Sequence, residues 1–158
     1  MNYLLGLVMS VASVAAAAPP QIVPSADIRF QSRTPQTVPD FQRHVVPLLG
    51  RLGCNSAKCH GSFQGQAGFR LSLFGFDFAA DHAALVAEAT TEEGMRLSAD
   101  APEQSLILLK ATAQLDHEGG QCLQPGSWEH QLLLRSTALG AKGVNITGVA
   151  TTEVAKQT

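Results

Sequence analysis

The chain has 158 residues, 45% of them hydrophobic and 15% charged, with a formal net charge of −2 and a pI near 6.2. That length allows one domain with tails, and the charge balance excludes the basic footprint of a nucleic-acid or anionic-membrane binder. Aromatic residues make up only 6% of the chain, so a small core here gains from a large group to pack around.

Residues 4–14 (LLGLVMSVASV) form a short apolar run, followed by Ala15, Ala16, Ala17 and Ala18. Together they read as a cleavable signal peptide over 1–18, cut before Ala17 or Ala18 and too short to span a bilayer. The alternatives are an uncleaved anchor or a buried apolar helix. The signal predicts export, to the periplasm or out of the cell, with no membrane span after cleavage. Residues 19–39 hold five of the eight prolines and read as an extended linker. Over 40–52, Phe41, Val45, Leu48 and Leu52 fall at helical spacing behind a possible Asp40 N-cap. Pro47 interrupts that pattern at a cost of about 3 kcal/mol in mid-helix, so the helix either kinks there or starts there.

Residues 53–75 are Gly-rich and aperiodic, with Gly61, Gly65 and Gly68 marking tight turns. A helix is predicted over 77–88, starting near Asp77 or Asp81. Another is predicted over 102–112, opening on Pro102 and Glu103. Residues 114–125 read as a loop. The clearest helix is 127–139, capped by Ser127, with Trp128, Leu132, Arg135 and Leu139 on one stripe and Leu133 beside them. No strand pattern is as strong. The predicted fold class is all-α, three to five short helices with long Gly-rich loops, in a domain over 40–141. The tail, 142–158, is polar and β-branched, and a lone strand cannot satisfy its edges. It reads as unstructured or as the truncated start of a second domain.

The chemistry lies in Gly53-Cys54-Asn55-Ser56-Ala57-Lys58-Cys59-His60-Gly61. Two thiols followed at once by an imidazole are the signature of covalent c-type haem attachment. The thiols add across two vinyl groups, and the adjacent ring meets the iron. Four residues separate the cysteines here instead of two, so the loop between them must bulge. Three other readings stay open at this point. Cys54 and Cys59 can form a short-loop disulfide in an exported chain. They can bind zinc with His60 plus His117 or Cys122. A thioredoxin-like pair fits worst, for want of a βαβ pattern. Lys58, between the cysteines, reads as merely exposed.

Residues 41–85 resemble the planctomycete-type cytochrome c domain. The shared motifs are Pro47-Leu48-Leu49, the string from Gly53 to Gly61, and Gly68-Phe69-Arg70-Leu71-Ser72-Leu73-Phe74-Gly75. The likeness continues through Pro102 to Leu106, Leu109 to Thr112 and His117 to Gly120, and covers 41–141. The four-residue spacing is usual in that family. The resemblance implies a haem c domain inside a larger exported multidomain protein, with pairing of first and last helices. The tail from Val144 to Val154 resembles the start of an immunoglobulin-like domain. There are departures. Ser136 and Thr137 stand where the family has Trp-Ile, which should loosen that helix end. Cys122 stands where the family has a basic residue, leaving a third cysteine that is a buried thiol, an intermolecular partner or drift.

An electron carrier needs a sixth iron ligand, His or Met. The resemblance favours His117, in its Gly-rich loop, with Met95 as runner-up. His44, His82 and His130 read as solvated helix-face residues. Phe69, Leu71, Leu73 and Phe74 are expected to wall the haem, and Trp128 and Leu132 to cross the first helix. The resulting expectation is an electron-transfer domain with one haem c, held by Cys54, Cys59, His60 and His117. Its partner is an unidentified redox protein, not nucleic acid. No acid–base pair or nucleophile arrangement is present, so no enzyme activity is expected. The rival readings are a haem-based ligand-binding or sensory module with an open sixth position, and a structural domain stapled by zinc or a disulfide.

Overall fold

The computed structural model describes residues 22–31, 37–87 and 94–142. The expected signal peptide and the tail from 143 onward lie outside the described residues. Among the described residues five helices occur in order: α1 (Ala26–Gln31), α2 (Phe41–Arg51, as a π turn over Phe41–Val45 followed by α-helix over Val46–Arg51), α3 (Phe78–Val86), α4 (Leu106–Ala111) and α5 (Trp128–Ala138). Short 3₁₀ turns lie at Leu73–Gly75 and Pro102–Gln104. Apart from an isolated bridge between Gln66 and Phe69, no strand occurs among the described residues, in keeping with an all-α class.

The helix starts follow local chemistry. Asp40 Oδ1 accepts from Arg43 N, Asp77 Oδ1 from Ala80 N, and Ser127 Oγ from His130 N, so each caps the helix it precedes. Pro47 stands in the first turn of the α-helical segment Val46–Arg51, as a first-turn proline. The turn before it widens to i→i+5 bonding, with Val45 N bonded to Asp40 O and Val46 N to Phe41 O. This single wide turn absorbs the proline, which has no N–H to contribute.

Three segments differ from the sequence expectation. Within the stretch read as extended, Ala26–Gln31 is helical and packs on α5 through the fully buried Phe30. The helix expected over 102–112 breaks at Ser105, which is extended. There Ser105 Oγ accepts from Ser98 N, and Leu106 N and Ile107 N bond to the carbonyls of Met95 and Arg96. The incoming chain at 95–98 thus takes the bonds that a longer helix would need. On α5 the buried face holds Leu132, Leu133, Ser136 and Thr137, while Leu139 is 42% exposed. The apolar stripe through Leu139 therefore points partly to solvent, and the small polar pair fills the core instead.

The core gathers Phe30, Phe41, Leu49, Leu71, Leu108 and Leu132 from across the chain. α5 lies against the start of α2, and the first-and-last pairing is clasped outside by Arg51, which stacks on Trp128 at 5.1 Å and pairs with Glu129 at 3.3 Å. A second fastening is Asp81, on α3 but only 2% exposed. Its carboxylate accepts from both Ser72 N and Ser72 Oγ, tying α3 to the Gly-rich segment. Burial raises its pKa above the usual carboxylate range, against the Ser72 bonds, which lower it. Replacing Asp81 by Ala orphans the buried Ser72 donors and should cost about 1–3 kcal/mol, read as a lower urea midpoint. Asp81→Asn keeps an acceptor without burying a charge and should cost less.

Candidate functional site

Between α2, the Gly-rich segment, α4 and the 116–122 loop lies an open cleft of about 940 Å³, counted out to its mouth. Its wall is mainly apolar, with Leu49, Phe69, Leu71, Leu85 and Ile107 prominent, and it carries Cys54, Cys59, His60, His117 and Cys122. The two cationic side chains on the wall, Arg96 and Lys110, donate to backbone carbonyls, Arg96 to Gly68 O and Ala84 O and Lys110 to Asp116 O.

The loop from Cys54 to Gly61 is closed on itself. Cys54 N bonds to Leu49 O at the end of α2, Cys59 N and Gly61 N to Ser56 O, and His60 N to Cys54 O. The last of these, at 3.0 Å, spans the extra residues, so the longer spacing does not carry the second thiol or the imidazole away from the first. Gly61 is required here, because a Cβ would strike the Asn55 carbonyl. Asn55 is buried, and its own carbonyl accepts from Phe74 N.

His60 is held from two sides. Its carbonyl accepts from Leu71 N at 2.8 Å, and its Nδ1 lies 3.1 Å from Phe69 O. A carbonyl can only accept, so Nδ1 carries the proton and Nε2 keeps its lone pair. His117 repeats the arrangement, with Nδ1 2.9 Å from Gly120 O. The two rings stand nearly parallel, 10° apart in plane, with centroids 6.3 Å apart.

Other expectations fall differently. Met95 is 43% exposed and is not on the cleft wall. Phe69 and Leu71 line the cleft, but Leu73 and Phe74 are exposed, Phe74 at 78%. The reason is backbone: Phe74 has φ 58°, a left-handed turn that throws its ring outward. His44, His82 and His130 are half-buried rather than solvated. His44 Nδ1 accepts from Asp40 N, and His82 stands edge-on to Phe41. Among the described residues no group of three or more His, Cys, Asp or Glu side chains is arranged to hold a bare metal ion.

Cys122 is the feature the sequence left open. Its thiol lies on the cleft wall with that of Cys54 and donates to Ala111 O at 3.7 Å; the interaction of the two thiols is the chief reason the Cys54 thiol is raised and the Cys122 thiol lowered from the ordinary range. Its backbone is tied to α4, with Cys122 N bonded to Ala111 O. The only sequence hint was its place five residues after His117.

Burial is the main cause lowering the His60 pKa from its ordinary 6.5, reinforced by His117 and opposed by the Phe69 carbonyl. Burial likewise lowers His44 and His130. The unfolded chain therefore binds more protons, and stability falls as pH drops below about 6.5. In NMR titrations of the haem-free protein these three rings should titrate below 6.5, and the denaturation midpoint should decrease on acidification through that window.

Compared with known proteins, the chain matches no family model, no curated protein and no solved structure.

Proposed function

We propose that this chain is an exported c-type cytochrome domain that carries one covalent haem and transfers electrons. The observation that carries the reading is the pair of parallel imidazoles, His60 and His117, 6.3 Å apart, in an apolar cleft that also carries Cys54 and Cys59. Two axial side chains suit a haem, whose ring supplies the other four ligands.

In this reading Cys54 and Cys59 would hold the haem through thioethers, and His60 and His117 would hold its iron. Bound haem supplies an iron that cycles between ferrous and ferric states. The residues of the chain orient and shield it. Phe69 O and Gly120 O fix the imidazole tautomers and hold Nε2 as the ligating nitrogen. Leu49, Leu71 and Ile107 keep water from the site, which favours the less charged ferrous form. Arg96 and Lys110 place positive charge on the wall, suited to an anionic ligand edge. No helix among the described residues is long and apolar enough to cross a membrane.

Expression of the full chain with a c-type maturation system tests the reading. After acid–acetone extraction the pyridine haemochrome band should stay with the protein at the position of a haem bearing two thioethers, and Cys54→Ala should shift it to that of one. A protein left without haem overturns the proposal. His117→Ala should convert a low-spin spectrum to a high-spin one. An unchanged spin state would remove His117 as ligand and favour a domain whose sixth position binds an outside ligand.

A further inference from the structure

A second crevice, of about 440 Å³ counted out to its mouth, lies where α1, α2 and α5 meet. It shares no wall residue with the cysteine cleft. Its wall joins Arg29, Arg43, His44 and Arg51 to the apolar surfaces of Trp128 and Leu132. Arg51 is paired with Glu129 at 3.3 Å, the one ion pair on this wall among the described residues.

The hydrogen bonds inside the crevice do not close. His44 Nδ1 accepts from Asp40 N at 2.8 Å. A backbone N–H only donates, so Nδ1 holds the lone pair and the neutral ring carries its proton on Nε2. Burial lowers the His44 pKa, with the charge of Arg29 adding to it and that of Asp40 opposing, which favours the neutral ring. Yet Nε2 lies 3.2 Å from Arg29 Nη1, and a guanidinium also only donates. Two donors therefore face each other, a contact that repels. Arg29 Nε is buried as well and has no hydrogen-bond partner. A buried donor without an acceptor costs free energy that a bound acceptor returns.

We infer that this crevice is a binding site for a phosphate group, seated against Arg29 and His44. One phosphate oxygen has lone pairs enough to accept from both Arg29 Nη1 and His44 Nε2. The other oxygens face a rim that carries Arg43 and Arg51. A phosphate group, with its charge of about −1.5 to −2 near neutral pH, suits a wall of three guanidinium groups of which one is already paired. Trp128 and Leu132 give an apolar surface for the body of a phosphate ester. Free phosphate and an ester share the anionic end, and the test separates them.

The haem-free full chain is titrated with inorganic phosphate, with phenyl phosphate and with acetate, at constant pH and at an ionic strength held with sodium chloride. NMR follows the His44 ring and the Trp128 indole. Phosphate should give saturable shifts at both residues. Arg29→Gln should weaken binding by about tenfold or more, the scale of losing a hydrogen bond to a charged group. Arg43→Gln, at an exposed position where folding is not at stake, should weaken it severalfold and carries the test if Arg29→Gln does not fold. Arg70→Gln removes the same charge from the Gly-rich segment, off the crevice wall, and should leave binding unchanged. Tighter binding of phenyl phosphate assigns the site to an ester, and equal binding to the free ion. Shifts that grow without saturating overturn the inference, as does an equal loss in Arg70→Gln, which would report net charge alone. Acetate binding as tightly as phosphate overturns the assignment to phosphate.

Discussion

The hydrogen bond from His60 N to Cys54 O is the constraint on which the rest of this molecule turns. It folds the stretch between the cysteines back on itself, so a spacing of four residues still presents two thiols and an imidazole to one cleft. The closure asks for its own conditions. Asn55 must be buried so that its carbonyl can hold Phe74 N, and residue 61 must lack a Cβ. Leu71 must run beside the loop so that its N–H reaches the His60 carbonyl. The Gly-rich segment is therefore not slack chain between helices. It is a bracket whose every backbone bond bears on where one histidine sits.

That bracket is fastened from outside by unlike means. Asp81 reaches from α3 to take both donors of Ser72, a buried polar link whose partners are all satisfied, the condition under which such links rigidify a fold rather than weaken it. Arg96 reaches the same segment at Gly68 O while its guanidinium lies 5.3 Å over the Phe69 ring. Phe69 in turn offers its carbonyl to His60 and its ring to the cleft wall. A chain of this size buries a smaller share of its surface than a larger domain does, and it keeps an open apolar cleft beside its core. A large flat cofactor filling that cleft would add the apolar contact that the few aromatic residues of the chain cannot supply.

The cysteines add a tension. The cleft that carries Cys54, Cys59 and His60 carries Cys122 as well. The departure at Cys122 thus has a structural meaning, because the residue stands in the cleft with Cys54.

What the sequence determined by itself was local. Asp40, Asp77 and Ser127 cap helices because a side-chain oxygen meets an N–H three residues on, within reach of any chain that starts to turn. The adjacency of Cys59 and His60 is covalent and needs no fold. The tertiary structure decided what depends on distant partners. Pro47 follows a π turn whose residues, Phe41–Val45, are the part of α2 that packs against α5. Ser105 broke a helix because residues 95–98 took its bonds. Ser136 and Thr137 turned inward because contact, not periodicity, picks the buried face of a short helix. The parallel setting of His60 against His117 joins residues more than fifty positions apart. No local preference encodes such a distance, which is set only when the helices and the glycine bracket close around the cleft.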